Sequence, residues 1–253
     1  MSELKFSDLV EPVAIDQKTA LRVTVLGGGS FGTAMANTAV RNGCDTLIWI
    51  RDEAAAAEIN QTHINKRYLP DFVLEPGLKA VSDLETAVSD RDIILVAIPS
   101  HSFRDVLKQI KPFIRSQAVI SLTKGIEAKT FQFMSDIIRE ELPQVPYGVL
   151  SGPNLAKEIM AGQPAGTVIA SQSELVRYAV QQALHSALFR VFGSDDVHGV
   201  ELGGALKNIY AVAMGMAAAY QVGENTKSML LTRALAEMSR FAVKLGANPL
   251  TFL

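Results

Sequence analysis

The chain has 253 residues, of which 48% are hydrophobic and 20% charged, and this predicts a globular protein rather than a disordered or collagen-like chain. The net charge of −2 argues against a nucleic-acid partner, and the single cysteine, Cys44, excludes an internal disulfide or a cysteine-rich zinc module. Residues 1–20 lack the pattern of a secretory signal, and no uninterrupted apolar run is long enough to form a membrane span, so we expect a cytoplasmic protein.

Short apolar runs alternate with amphipathic segments of helix length through most of the chain. The predicted strands are Leu21–Leu26, Thr46–Ile50, Ile93–Ile98, Ala118–Leu122, Tyr147–Leu150 and Thr167–Ala170. The predicted helices are Phe31–Asn42, Glu53–Asn60, Ser102–Ile110, Phe131–Glu141 and Glu174–Ser186. Because continuous apolar runs are typical of strands covered on both faces, the pattern predicts a parallel, doubly wound α/β sheet of the Rossmann-like class.

The pattern changes near Ser194, beyond which strand-like runs are absent. Residues 197–245 are rich in Ala, Met and Leu at helical spacing, with a break at 221–226. We therefore predict a leader at residues 1–20, a dinucleotide-binding domain at 21–196 and a partial helical domain at 197–253. Helices that are apolar on nearly all sides are typical of a larger helical domain or a dimer core, and we expect a homodimer.

A glycine fingerprint, Gly27-x-Gly29-x-x-Gly32, directly follows the first strand and opens a helix. Dinucleotide sites use such glycines for a sharp turn, for close approach to the pyrophosphate and for helix–strand packing. A glycine turn in an unrelated fold is the alternative. The strand, the helix and the βαβ pattern around the fingerprint favour a dinucleotide.

The end of the second strand reads Ile50-Arg51-Asp52, with arginine where classical NAD sites place an acid. An arginine there can bind the 2′-phosphate of NADPH. It can equally be an exposed side chain at a strand end, and the sequence leaves both interpretations open.

Two loops follow buried strands at the carboxyl edge, where open α/β sheets bind ligands. The first runs from Ser121 through Lys124 to Glu127, and the second from Ser151 to Glu158. Without further information, each could be an ordinary strand-to-helix loop.

The helical part contains Gly203, Gly204 and Lys207 within a nearly apolar segment. Glycine inside a helix costs roughly 1 kcal/mol relative to alanine, so we expect another part of the chain to approach this backbone closely. Lys207 could exchange a proton with a substrate, or extend along its stem to water.

Five ordered segments, GGGSFGTAMA, SLTKGIE, SGPNLAKEI, GVELGGALKNIYAVAMGM and TRALAEMSRFAVKLGA, resemble the bacterial-type NAD(P)-dependent glycerol-3-phosphate dehydrogenase family. The resemblance extends from about Leu21 to Leu253. It implies reduction of dihydroxyacetone phosphate, a small phosphorylated substrate, to sn-glycerol 3-phosphate for phospholipid synthesis. It also implies NADP or NAD as the cofactor.

The resemblance also implies roles for individual residues. Those expected to contact the dinucleotide are Gly27, Gly29, Ser30, Phe31, Gly32, Arg51, Lys124 and Ala156. Those expected to contact the substrate are Lys124, Gly152, Asn154 and Lys207. Lys207 matches the catalytic lysine of the family, whose ammonium group would stabilise and protonate the oxygen of the reduced ketone.

Members of this family continue with a Gly-Leu-Gly-Asp-Leu segment and then a Ser-Arg-Asn segment that binds substrate phosphate and cofactor. The present sequence stops at Leu253 before both, so we expect a C-terminally truncated member with uncertain complete activity.

Two other interpretations remain open. One is a related hydroxyacid or ketopantoate-type reductase, which would recognise a carboxylate instead of a phosphate. The other is a dinucleotide-binding module without turnover. The four histidines and Cys44 have no metal-ligand spacing, so no metal site is expected, and His101 is the one histidine in a predicted cofactor-edge loop.

Overall fold

The computed structural model describes residues 20–252, so the predicted leader lies outside the described residues except for Ala20. The strands are β1 (Arg22–Leu26), β2 (Asp45–Trp49), β3 (Lys79–Val81), β4 (Ile93–Val96), β5 (Ala118–Ser121), β6 (Tyr147–Ser151), β7 (Ala165–Ala170) and β8 (Phe189–Ser194). The helices are α1 (Ser30–Arg41), α2 (Glu53–Thr62), α3 (Leu84–Val88), α4 (Ser100–Ile110), α5 (Met134–Glu141), α6 (Ala156–Met160), α7 (Glu174–Leu184), α8 (Val197–Ala219) and α9 (Glu224–Lys244). Within residues 20–252, no helix combines the length and hydropathy needed to cross a membrane.

The strands form one sheet in the order β3-β2-β1-β4-β5-β6-β7-β8. Strands β1 to β6 are all parallel to one another, and the chain order reverses between β1 and β4, which confirms the doubly wound architecture.

The predicted parallel sheet is confirmed for most strand pairs, and one pair departs from it, because β7 runs antiparallel to β6. Strand β8 is then parallel to β7. A parallel return requires a crossover that spans the length of a strand. The connecting helix α6 has five residues and a length of only about 7 Å, so the chain turns back instead.

Two strands and two short helices were not predicted. Strand β3 has only three residues, and the edge strand β8 alternates buried and exposed residues instead of forming a continuous apolar run. The helix predicted from Phe131 begins at Met134 because Phe131 has a φ of 59°, outside the right-handed helical region.

Apolar layers cover both faces of the sheet, as expected for a doubly wound fold. Helices α1, α2, α6 and α7 contribute to the layer on one face. Helices α3, α4 and α5 contribute to the layer on the other face. The loops at the carboxyl ends of β1, β2, β4 and β5 are therefore held between two packed layers.

The predicted helical part consists of α8 and α9, and α8 begins at Val197, beside the proposed domain boundary at residue 196. The start of α8 packs on the sheet through Val197 and Val200, which contact Val149 of β6 and Ala170 of β7. Both helices leave large apolar side chains exposed: Ile209, Val212, Met216, Tyr220, Met229, Leu230, Leu231, Leu235, Phe241 and Val243.

Candidate active site

The glycine fingerprint forms a tight turn between β1 and α1. Gly27 has a φ of +121°, and a Cβ at this position would lie less than 3.0 Å from the carbonyl oxygen of Ala97. A Cβ at Gly32 would collide with the carbonyl of Gly27, so the third glycine lets the helix pack against the strand. A Cβ at Gly29 would have no neighbour within 4 Å, so the middle glycine borders open space at the start of α1.

The N-terminus of α1 has the properties of an anion site. Its N-cap is Gly29, which offers no capping side chain, and no acidic residue lies in the first turn. The first amides of a helix lack intrahelical partners and carry a partial positive charge. Ser30 and Phe31 occupy this first turn, so their position fits the diphosphate contacts expected from the sequence.

The segment after α2 is bound to the glycine loop. The side-chain amide of Asn65 is buried and donates to the carbonyl of Gly28 and to Thr33 Oγ1, both at 2.9 Å. Ser30 Oγ donates to the carbonyl of Tyr68 at 3.3 Å. These bonds join residues far apart in the chain, so local sequence patterns do not reveal them.

A cleft of about 1170 Å³ follows the carboxyl edge of the sheet. Of the residues predicted to bind cofactor or substrate, those that line it are Gly27, Gly29, Phe31, Gly32, Arg51, Lys124 and Asn154. His101, Arg67 and Tyr68 also line it. The volume and the uncapped α1 terminus fit a dinucleotide lying across the point where the strand order reverses.

Arg51 and Asp52 lie at the β2 side of this cleft, and both are exposed. Asp52 caps α2 by accepting a hydrogen bond from the amide of Ala55 at 3.1 Å. Within the described part of the chain, the Arg51 side chain makes no ion pair with a carboxylate. The arginine is therefore available to an anionic group, and the acid beside it already has a structural role.

Lys124 lies at the opposite side of the cleft, after β5. Its Nζ donates to the carbonyl of Gly152 at 3.0 Å. Burial lowers the pKa of Lys124, and the positive charge of Lys207 lowers it further. The structure thus brings together two lysines from the α/β part and the helical part of the chain.

The loop that carries Lys124 is held by an ion pair with α4. Arg104 binds Glu127 through two parallel hydrogen bonds, Nε to Oε1 at 2.8 Å and Nη2 to Oε2 at 3.0 Å. Arg104 also donates to Glu141 at 2.6 Å, and this arginine holds the pKa of Glu127 at about 2. Arg104 thus links the loop at Glu127 to Glu141 of α5.

Helix α8 crosses the end of β6 at Gly204. A Cβ on this glycine would lie less than 3.0 Å from Ser151 Oγ and 3.8 Å from Lys124 Cγ. A Cβ on Gly203 would lie 3.3 Å from the ring of Phe252. The close approach predicted from the two glycines is confirmed, and it places the following turn, with the half-buried Lys207, beside Lys124.

Asn154 contributes an acceptor at the same end of the cleft. Its Nδ2 donates to Thr167 Oγ1 at 2.9 Å, and among the described residues its buried Oδ1 has no hydrogen-bond partner. A buried acceptor without a partner is costly, so this oxygen suits a ligand that donates a hydrogen bond, such as a hydroxyl group.

Four of the predicted site residues do not line the cleft itself. Ser30 Oγ donates a hydrogen bond to the carbonyl of Tyr68, the carbonyl of Gly152 accepts one from Lys124, and Lys207 on α8 is close enough for its charge to act on Lys124. Ala156 begins α6 and packs against the apolar layer that contains α1. Ser30, Gly152 and Ala156 lie within two residues of positions that line the cleft, whereas no described residue of α8 lines it.

Comparison with known proteins identifies two family models. Residues 22–176 match the N-terminal model of NAD-dependent glycerol-3-phosphate dehydrogenase, and residues 196–253 match the C-terminal model of the same family. Residues 177–195, which include most of α7 and strand β8, lie between the two matched segments.

Individual relatives agree with these models. The chain is 85% identical over 253 residues to glycerol-3-phosphate dehydrogenase [NAD(P)+] of Acinetobacter baumannii, covering all of this chain and 71% of the relative. A solved glycerol-3-phosphate dehydrogenase of Coxiella burnetii matches with a TM-score of 0.86 and 34% identity, over 92% of this chain and 71% of that one. The yeast enzyme matches with a TM-score of 0.83 and 30% identity, over 92% and 73% of the respective chains.

Proposed function

Since the chain belongs to the NAD-dependent glycerol-3-phosphate dehydrogenase family, we propose that its cleft binds the dinucleotide and that Lys124 and Lys207 hold the phosphorylated substrate beside it. The family consists of oxidoreductases that use NAD or NADP to interconvert glycerol 3-phosphate and dihydroxyacetone phosphate. The observation that carries the placement of the substrate is the pair of lysines next to the cleft.

The dinucleotide contacts follow the carboxyl edge of the sheet. The first-turn amides of α1, at Ser30 and Phe31, hold the diphosphate beside Gly29. Arg51 binds the 2′-phosphate of NADPH by a charge-assisted hydrogen bond. Gly27 and Gly32 shape the turn, while Lys124 and Ala156 border the nicotinamide end.

The lysine pair suits an anionic substrate. Two ammonium groups close together repel, and this repulsion contributes to the lowered pKa of Lys124. The negative charge of a phosphorylated substrate near the pair offsets the repulsion, while the ammonium group of Lys207 is directed at the ketone oxygen. A neutral ligand does not reduce the repulsion between the two ammonium groups, so the lysine pair favours a phosphorylated substrate over an uncharged one.

The side chains of the protein act at the ketone oxygen of the substrate. NADPH or NADH supplies the hydride when bound. As the ketone is reduced, negative charge develops on its oxygen, and the ammonium group of Lys207 stabilises this charge and donates a proton to the oxygen. Asn154 accepts a hydrogen bond from a substrate hydroxyl, and Gly152 holds Lys124 in position.

The expected setting is a cytoplasmic homodimer that supplies sn-glycerol 3-phosphate for phospholipid synthesis. The large apolar side chains exposed on α8 and α9 support self-association. Sedimentation equilibrium tests this: a mass of two chains is expected, and a monomer at micromolar concentration would contradict the dimer.

Turnover with dihydroxyacetone phosphate tests the proposed function directly. The oxidation of NADPH and of NADH is followed with this ketone and, as the matched carboxylate substrate, with ketopantoate. We expect turnover with the phosphorylated ketone alone. A preference for ketopantoate would overturn the proposal, and so would cofactor binding by calorimetry without turnover on either ketone in a chain extended by the family's C-terminal portion.

A further inference from the structure

A buried carboxyl group on α8 joins this helix to α5. Glu201 is 4% exposed, and its Oε1 accepts a hydrogen bond from the backbone amide of Ser135 at 3.0 Å. Its Oε2 accepts from the hydroxyl of the same serine. Both oxygens of Glu201 are thereby directed at one residue of another helix.

Ser135 lies in the first turn of α5, where backbone amides need an acceptor. The N-cap residue of α5 is Phe133, whose side chain has no acceptor. Asp136 accepts from the amide of Phe133 at 3.3 Å, and Glu201 accepts from the amide of Ser135. Glu201 therefore acts as a helix cap supplied by a different helix.

The same helix α8 is held at two further places. Its start packs on Val149 and Ala170 of the sheet, and Gly204 packs against Ser151. Glu201 lies between these two contacts in the sequence. Its contact with Ser135 depends on direction, because the hydrogen bonds form only in one orientation of the helix. Apolar packing alone tolerates small sliding movements, whereas the paired bonds to Ser135 resist them.

A gain in folding stability does not explain why the carboxyl group of Glu201 is buried. Burial raises the pKa of Glu201 to about 7, and the hydrogen bonds from Ser135 only partly oppose this effect. The negative charge of Asp136 on α5 also raises the pKa of Glu201. Asp136 Oδ1 is paired with Arg139 Nη1 at 3.4 Å. An apolar side chain of similar volume would avoid this cost, so the residue contributes orientation instead.

We propose that Glu201 is a positioning residue that fixes α8 against α5 and thereby sets the position of Lys207 relative to Lys124. Glu201 does not touch the substrate. The inference rests on the proposed function for its effect on turnover, but the position of the two lysines can be measured without turnover.

Two substitutions separate the hydrogen bonds from the burial. Glu201→Gln keeps an acceptor for the amide of Ser135 and offers a donor to its hydroxyl, which can reverse its role. Glu201→Met fills a similar volume without any hydrogen bond. Glu224→Met is the matched control, because the side chain of Glu224 is 86% exposed at the start of α9.

The first measurement is kcat with dihydroxyacetone phosphate and either dinucleotide. We expect Glu201→Met to lower kcat at least about 10-fold, because small displacements of a reacting group are costly. The dinucleotide Kd of Glu201→Met should stay within two-fold of the wild-type value. Its urea midpoint should be equal to or higher than that of the wild type. Glu201→Gln and Glu224→Met should keep kcat within about three-fold.

The second measurement is the pKa of Lys124, followed by NMR of the lysine Cε groups. A displaced α8 moves Lys207 away and uncovers Lys124, so the pKa of Lys124 should rise towards its ordinary value in Glu201→Met and stay low in Glu201→Gln. This readout stands even when the wild-type protein shows no turnover, a result that would contradict the proposed function alone.

Three outcomes would overturn the inference. One is an unchanged kcat together with an unchanged Lys124 pKa in Glu201→Met. Another is equal losses in Glu201→Gln and Glu201→Met, which would assign the effect to charge. The third is a lowered urea midpoint with weakened dinucleotide binding in Glu201→Met, which would assign a general structural role.

Discussion

Gly204 of α8 lies so close to Ser151 at the end of β6 that a Cβ on the glycine would be less than 3.0 Å from the serine Oγ. Among the glycines of α8, Gly204 makes the closest contact with the sheet. The half-buried Lys207 lies three residues further along α8.

Gly204→Ala is expected to displace α8 from β6. Overpacking at a buried contact costs about 1–3 kcal/mol, and the displaced helix moves Lys207, so kcat should fall at least about 10-fold. Gly215→Ala on the same helix is the control, since a Cβ there would have no neighbour within 4 Å. Urea unfolding and steady-state kinetics measure both effects. Equal kinetics for the two variants would contradict the role of the Gly204 contact.

Lys207→Ala should abolish most of the turnover and leave dinucleotide binding nearly intact. The lost group acts on the developing charge at the ketone oxygen, so we expect a decrease in kcat on the order of 10²-fold or more. The pKa of Lys124 should rise in this variant, because the charge of Lys207 contributes to its lowering. Lys227→Ala, on α9, serves as the control. A kcat within a few-fold of wild type would exclude Lys207 as the proton donor.

Arg51→Ala should weaken NADPH more than NADH. Only NADPH offers a 2′-phosphate, and a charge-assisted hydrogen bond to it is worth about 1.5–3 kcal/mol. Isothermal calorimetry with both dinucleotides measures the difference. Arg41→Ala is the control, because Arg41 lies at the far end of α1 and pairs with Glu75 at 2.8 Å. Equal losses for both dinucleotides would mean that Arg51 does not contact the 2′-phosphate.

The stability of the protein should depend on the proton of Glu201. The pKa of this group rises from 4.5 to about 7 on folding, so the folded state binds the proton more tightly. Its contribution to the free energy of unfolding is fully present below pH 4.5 and is lost as the pH rises through 7, by about 3 kcal/mol.

Glu201→Gln removes this titration. The free energy of unfolding of the variant relative to wild type should therefore increase between pH 5 and pH 8, as measured by urea unfolding at each pH. Glu224→Gln should follow the wild-type curve, because Glu224 is exposed. Parallel curves for Glu201→Gln and wild type would show that Glu201 does not take up a proton on folding.

The central part of the fold was predictable because the required information is local. The continuous apolar runs that form β1, β2, β4, β5 and β6 are typical of strands buried on both faces, and the structure contains all five. The turn between β1 and α1 follows from Gly27, whose φ of +121° is accessible mainly to glycine.

Other parts of the fold depend on partners that the sequence pattern does not reveal. The edge strand β8 has alternating burial because one side of it is uncovered, so it lacked the continuous run on which the prediction relied. The reversal of β7 follows from the shortness of α6, and a helix of five residues has too few positions to show a period.

The sequence by itself determined the chemical groups of the site: the glycine turn, the arginine after β2 and the two lysines. Only the tertiary structure decided how these groups meet. Asn65 donates a hydrogen bond to Gly28, Lys124 donates one to Gly152, and Glu201 accepts one from Ser135. Each of these pairs is far apart in the sequence. Such pairs are selected by the packing of whole helices on the sheet, and local propensity and periodicity carry no information about them.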